Sequence, residues 1–286
     1  MTDLRRMIKR NARRALDGHW AVAIVIVLVL LALAIATGLL EEGIHGALGL
    51  EPYIDVYNTP DNYLDDIPNT SPLFLGVTLG MTLLGVLCSA PLGIGVNDWF
   101  LGLTEGAAPP FGHIFYPYGN RTFFRAVRLE ISIYLRTLLW ASLLTAPPLG
   151  VMLFSGWFLE AGARTTAEQS LSVMGIILGA GLLLMALVFL CAVVARYTLA
   201  PYLLCSRYAK TVRQALRLSV TYTKGRRWEI VMFFLSFVPW LLLTPLLLPL
   251  LWVLPYMQMS TALFARYLIE AGERQGQGFT REFQAQ

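Results

Sequence analysis

Stretches of about 20 apolar residues, the length that crosses a bilayer as a helix, alternate along this chain with polar segments whose charge differs in sign. The pattern predicts six spans, at about 20–40, 73–96, 131–158, 173–195, 229–243 and 250–268. The fourth is the clearest, because 173–195 holds no charged residue. The expected fold is all-α, a polytopic membrane helical bundle over 20–270. Residues 1–19 precede it as a basic interfacial helix and 271–286 follow as a tail.

Charge orients the bundle. The segment 41–72 carries Glu41, Glu42, Glu51, Asp55, Asp61, Asp65 and Asp66 without one lysine or arginine. By contrast, the stretch from Arg196 to Trp228 has no acidic residue until Glu229. Lysine and arginine collect on the cytoplasmic side of a membrane protein. The acidic segment is therefore expected outside, as an outer loop, and both termini inside. The run 20–40 is longer than the apolar core of a signal peptide, and no small-x-small cleavage site follows it, so it reads as a retained span.

Two segments combine positive charge with helical periodicity. In 1–19, Leu4, Met7, Ile8, Ala12, Ala15 and Leu16 alternate with basic residues; in 205–223, Tyr208, Val212, Ala215, Leu216 and Ser219 share one side. Such helices suit the inner leaflet, where each basic residue near anionic lipid contributes about 1 kcal/mol. The candidate contacts for anionic headgroups are Arg5, Arg6, Lys9, Arg10, Arg13, Arg14, Arg207, Lys210, Arg213, Arg217, Lys224, Arg226 and Arg227. Membrane lipids are the expected partners, with a protein partner left open.

Punctuation within the spans adds detail. Gly76-x-x-x-Gly80 has the spacing that lets helices approach closely. Pro147-Pro148 removes two backbone donors, which predicts a kink or unwound turn in the third span. Pro239 interrupts the fifth span, and Thr244-Pro245 with Pro249 marks a tight outer turn.

Composition agrees with this picture. Of 286 residues, 56% are hydrophobic and only 14% charged, against about 25% charged in soluble domains. The net charge of +4 gathers beside the spans, where topology accounts for it, so nucleic acid is not an expected partner. Cys88, Cys191 and Cys205 are far apart and form no C-x-x-C, which favours buried thiols over a metal or disulfide framework. No Walker loop, dinucleotide fingerprint, calcium loop or zinc-binding H-E-x-x-H is present, so no cofactor is expected. His19, His45 and His113 fall in separate border segments and no carboxylate sits in mid-span, so catalysis is not expected either.

One polar constellation stands out. Asp98, Arg136, Arg196 and Glu229 all lie near the cytoplasmic border, where they could form a cluster lined by Tyr202 and Tyr256. The other reading has each arginine reaching to the headgroups and each carboxylate in water.

The order of several motifs resembles a known family. The features are Ala15-Leu16-Asp17-Gly18-His19-Trp20 after a basic start, Pro91-Leu92-Gly93-Ile94-Gly95 before Phe100-Leu101, and Ala200-Pro201-Tyr202. More specific is the closing run of Gln214-Ala215-Leu216-Arg217-Leu218-Ser219, Lys224-Gly225, Trp228-Glu229, Leu235-Ser236-Phe237, Trp240 and Trp252-Val253-Leu254-Pro255-Tyr256-Met257. In these the chain is similar to the domain of unknown function 975 family of bacterial integral membrane proteins. It departs from that pattern in its long acidic loop and in Pro239. The resemblance implies a multi-pass protein of the bacterial cytoplasmic (inner) membrane with six or so helices, and no established activity. The expected role is non-enzymatic: membrane-organising, lipid-interacting or partner-binding. The alternative is a small-solute or lipid transporter or export component, which would need a polar cavity at mid-bilayer near Pro147-Pro148 or Pro239, with Ser142, Thr145 and Ser236 as its polar neighbours.

Overall fold

A computed structural model describes residues 2–50, 71–119, 122–161, 165–205, 209–241 and 247–284. Among the described residues the chain is helical and has no strand. The order begins with α1 (Thr2–Leu16), α2 (Trp20–Ala47), α3 (Pro72–Thr104), a 3₁₀ segment (Phe111–Gly119), α4 (Thr122–Ala161) and α5 (Thr166–Val194). It continues with α6 (Ala200–Cys205), α7 (Val212–Tyr222), α8 (Arg227–Leu235), α9 (Val238–Leu241) and α10 (Leu247–Gln284). Most of the acidic segment, Arg207, Tyr208 and the Thr244-Pro245 turn lie outside the described residues. What is described of the acidic segment begins as helix, since α2 runs on past Glu41 and Glu42 to Ala47.

Local chemistry sets several boundaries. Gly18, at φ 82°, supplies the left-handed turn that separates α1 from α2. Ser71 caps α3 by accepting from the Phe74 N–H at 3.2 Å, with Pro72 at the first helical position. Thr165 and Glu168 form a reciprocal capping box at the start of α5.

Four helical stretches, Trp20–Ala47, Pro72–Thr104, Thr122–Glu160 and Thr166–Cys205, are long and apolar enough to cross a membrane. Their outward faces are apolar: Leu28, Leu79, Leu139, Leu143, Ile177 and Leu184 are all exposed. That is what lipid contact requires, since tails solvate such side chains as well as a protein core does.

The fifth expected span is not one helix. α8 stops at Leu235, Ser236 and Phe237 form a turn, and α9 follows. Pro239 explains the break, because its ring would collide with the carbonyl four residues earlier, that of Leu235, and it has no N–H to donate. The segment expected as span six belongs to a longer helix, α10, which continues through the predicted tail to Gln284.

Neither the unwound turn at Pro147-Pro148 nor the close approach at Gly76 and Gly80 is formed. α4 stays helical through Pro147-Pro148 rather than unwinding, and the Pro148 carbonyl packs beside Gly179 of α5. Gly76 and Gly80 have no neighbour within 4 Å of where a Cβ would stand. The close approach is made instead by Gly175 and Gly179 of α5, at the same spacing, against Ser155, Met152 and Pro148 of α4.

The core lies at one end of the molecule. Trp99 and Phe100 of α3, Ile114 of the 3₁₀ segment, Leu129 of α4, Leu203 of α6, and Ile230 and Phe233 of α8 are wholly or almost wholly buried in one cluster. α1 contributes Ile8, Ala12 and Leu16 to it, and α7 contributes Val212, Ala215 and Leu216. The apolar faces of both basic helices therefore pack on protein. Beyond this cluster α2 packs on α3 and α4 on α5, with apolar outward faces.

Candidate functional site

The basic end is built around the break after α8. A helix leaves its last carbonyls without intrahelical donors, and a cation near that end is favourable. The Met232 carbonyl accepts from Arg5 Nη1 at 3.4 Å, and the Ser236 carbonyl from Lys9 Nζ at 3.1 Å. Lys9 also stands 4.2 Å from the centre of the Phe237 ring, and the Arg13 guanidinium 5.5 Å from that of Tyr256. Spaced four apart, Arg5, Lys9 and Arg13 thus form a row turned to the bundle. Arg13 is nonetheless exposed, as is every member of a second row, Arg6, Arg10 and Arg14. Burial, and then the charge of Arg5, hold the Lys9 ammonium below its ordinary range.

Beside this seam a cavity of about 500 Å³ opens between α1, the α7–α8 turn, α8 and α10. Arg5, Arg226, Trp228, Glu229, Met232 and Tyr267 are among its lining residues. Arg226 lies over the Tyr267 ring, 5.7 Å from its centre. Its Nη1 is buried and has no hydrogen-bond partner among the described residues, and the same is true of Nε in Arg227 and in Arg196.

The six residues expected in a polar cluster have other partners. Asp98 pairs with His113, whose Nε2 lies 2.8 Å from Oδ2. Arg136 is exposed and donates to the Ser132 carbonyl of its own helix at 3.1 Å. Arg196 lies over the Trp140 ring, 5.5 Å from its centre. Glu229 faces the cavity, Tyr202 is buried in the core, and Tyr256 stacks edge-on to Phe237 and faces Arg13. Among the described residues no hydrogen bond or ion pair joins these six to one another. Of the remaining headgroup candidates, Lys210, Arg213, Arg217 and Lys224 are exposed, while Arg226 and Arg227 are half-buried.

Sequence reasoning missed two arrangements. The first is the Asp98–His113 pair, in which the 3₁₀ segment doubles back along α3. Trp99 Nε1 donates to the Pro109 carbonyl at 2.8 Å, and the Tyr118 hydroxyl donates to the Cys88 carbonyl. Burial, then the Asp98 carboxylate and the Cys205 thiol, raise the Tyr116 phenol there above its ordinary range. The only signal in the sequence is the proline-rich run around Pro109, Pro110 and Pro117. The second is the cavity, which joins residues from α1, α8 and α10; the adjacent Arg226-Arg227-Trp228 marked half of it. His45, expected in a border segment, is buried and stacks on Phe74 with ring centres 4.5 Å apart.

Chemically, the arrangement can bind an anion between guanidinium groups and offer an aromatic wall. Among the described residues no group of three or more histidine, cysteine or acidic side chains could hold a metal ion. In comparisons with known proteins, the family described as "Protein of unknown function (DUF975)" matches residues 1–271. No curated protein and no solved structure matches the chain.

Proposed function

Because the chain belongs to the DUF975 family, whose description assigns no activity, we propose a function from the geometry of its basic end: a non-enzymatic, lipid-interacting protein that organises the membrane around it. In this reading it is a six-span protein of the bacterial inner membrane with both termini cytoplasmic. Its basic end faces the anionic leaflet, and a protein partner of acidic surface is the further expected ligand.

The observation that carries the reading is the division of labour on α1. One basic row is committed to the bundle, which fixes the helix. The exposed row Arg6-Arg10-Arg14 then stands on a rigid support, where cations near an anionic surface act together. Exposed Arg213 and Arg217 on α7 extend the same charge. A transporter would need a polar cavity at mid-bilayer; the cavity of about 500 Å³ is lined by Arg5, Arg226 and Glu229 of the basic end.

The test is lipid enrichment around the full chain in nanodiscs that mix neutral and anionic phospholipid. Enrichment of anionic lipid that falls with salt, and is lost in the triple variant Arg6→Gln, Arg10→Gln, Arg14→Gln, supports the reading. Enrichment equal in the variant and the wild type removes it.

A further inference from the structure

The cavity differs in kind from the exposed collar, and it points to one bound molecule rather than to a diffuse surface. We propose that it is a phospholipid headgroup site: Arg5 and Arg226 hold the phosphodiester, Glu229 accepts from a hydroxyl or ammonium of the headgroup, and the acyl chain leaves along α8.

Three observations support this assignment independently of the collar. First, among the described residues the Nη1 of Arg226, a side chain that lines the cavity, has no hydrogen-bond partner, although a guanidinium N–H is expected to be satisfied. A phosphate oxygen is the acceptor whose charge and geometry suit it. Second, Glu229 lines the same cavity, and among the described residues no ion pair joins it to Arg5 or Arg226. Two guanidinium groups and one carboxylate leave a lining charge of +1, which a singly charged phosphodiester neutralises. The carboxylate then asks for a donor next to that phosphate. Phosphatidylglycerol supplies one as a hydroxyl and phosphatidylethanolamine as an ammonium; phosphatidylcholine has neither.

Third, the surroundings are those of an amphiphile. Trp228, Met232 and Leu235 follow one another at helical spacing on α8 and are all exposed, at 51%, 48% and 55%. This apolar stripe begins at the cavity, where Trp228 and Met232 form part of the wall. Tryptophan at such a border suits the headgroup level of a bilayer. A soluble phosphate ester would use the guanidinium groups and leave the stripe without a role, so the lipid is the favoured source of the same chemistry.

The experiment uses the full chain, delipidated in neutral detergent, with binding of single lipids followed by native mass spectrometry. Phosphatidylglycerol and phosphatidylethanolamine should each form a one-to-one complex, about tenfold weaker or more in Arg226→Gln, as expected for loss of a charge-assisted bond. Met232→Asp, at an exposed position that leaves the guanidinium groups in place, should weaken the same complex by disturbing the acyl path. Glu229→Leu should remove the preference over phosphatidylcholine. The triple Arg6, Arg10, Arg14 variant should keep the complex, which separates this site from the collar. Binding unchanged in a folded Arg226→Gln or Met232→Asp protein would overturn the site. Phosphatidylcholine bound as tightly by the wild type would overturn the role of Glu229, and glycerol 3-phosphate bound as tightly as the lipids would overturn the lipid assignment.

Discussion

The backbone carbonyl of Ile114 occupies the space a side chain on Gly95 would need, so α3 and the 3₁₀ segment meet there backbone to backbone. Ile114 is wholly buried, and the obstructing atoms are main-chain atoms that cannot rotate away. Gly95→Ala should therefore destabilise the protein by about 1–3 kcal/mol, the range for an overpacked core. Gly93→Ala, two residues earlier and facing open space, should stay within about 0.5 kcal/mol of wild type. Thermal unfolding in detergent compares the two, and equal behaviour would contradict the contact.

Arg266 ties α10 to the end of α3. Its Nε donates to Glu270 at 2.9 Å, and its Nη1 donates to the Thr104 carbonyl, one of the last carbonyls of α3. Arg266→Ala should lower stability by about 1–2 kcal/mol, because a charge-assisted bond is lost and a helix-end carbonyl is left without its donor. Arg274 reaches the same Glu270 at 3.7 Å but is 80% exposed. Its replacement by alanine should change little, as for other exposed pairs. A ranking of the two by unfolding temperature that came out reversed would show that the α3 latch does not matter.

Lys9 gives a pH dependence with a definite sign. Its folded-state pKa is lowered from 10.5, first by burial and then by Arg5. The unfolded chain binds this proton more readily, so the stability linked to Lys9 is full above 10.5 and is lost as pH falls through the lowered value. Unfolding profiles from about neutral pH to 10.5 should show the wild type gaining on Lys9→Met toward the alkaline end. Parallel profiles would mean that Lys9 titrates as it does in water.

The α4–α5 hairpin depends on its small residues. A Cβ on Gly179 would strike Met152 and crowd the Pro148 carbonyl, and one on Gly175 would strike Ser155. Gly179→Ile should cost about 1–3 kcal/mol through forced separation of the helices, while Gly80→Ile on α3 should be tolerated. Cysteines placed at 155 and 175 should crosslink readily in the wild-type background and slowly beside Gly179→Ile. Equal crosslinking in both would place the contact elsewhere.

How far the sequence could be read depends on which partner chose the structure. α7 was legible: the face named from periodicity supplies Val212, Ala215, Leu216 and Ser219, all buried. α1 was legible as an amphipathic helix, but both of its basic rows look alike in sequence. Only the carbonyls of Met232 and Ser236 at the end of α8 select Arg5 and Lys9, and the break that ends α8 lies near Pro239, 230 positions from Lys9. The glycine pairs make the same point. Gly76-x-x-x-Gly80 and Gly175-x-x-x-Gly179 have one spacing and opposite surroundings, because the spacing permits a close approach and a neighbour must still supply it. The border residues take other partners for a related reason: depth along the sequence places residues at one level and says nothing of the side of the bundle on which each stands.

The docking of α1 also has a consequence for biogenesis. Arg5 and Lys9 find their acceptors 227 positions later in the chain, which at ribosomal rates of about 5–20 residues per second is a wait of roughly 10–45 s. Through that interval the helix is a basic amphipath whose buried face, Ile8, Ala12 and Leu16, still lacks α10. A membrane surface suits a helix of that kind. The row of cations thus acquires its backbone acceptors only when α8 is made, and the bundle cannot close around α1 before then.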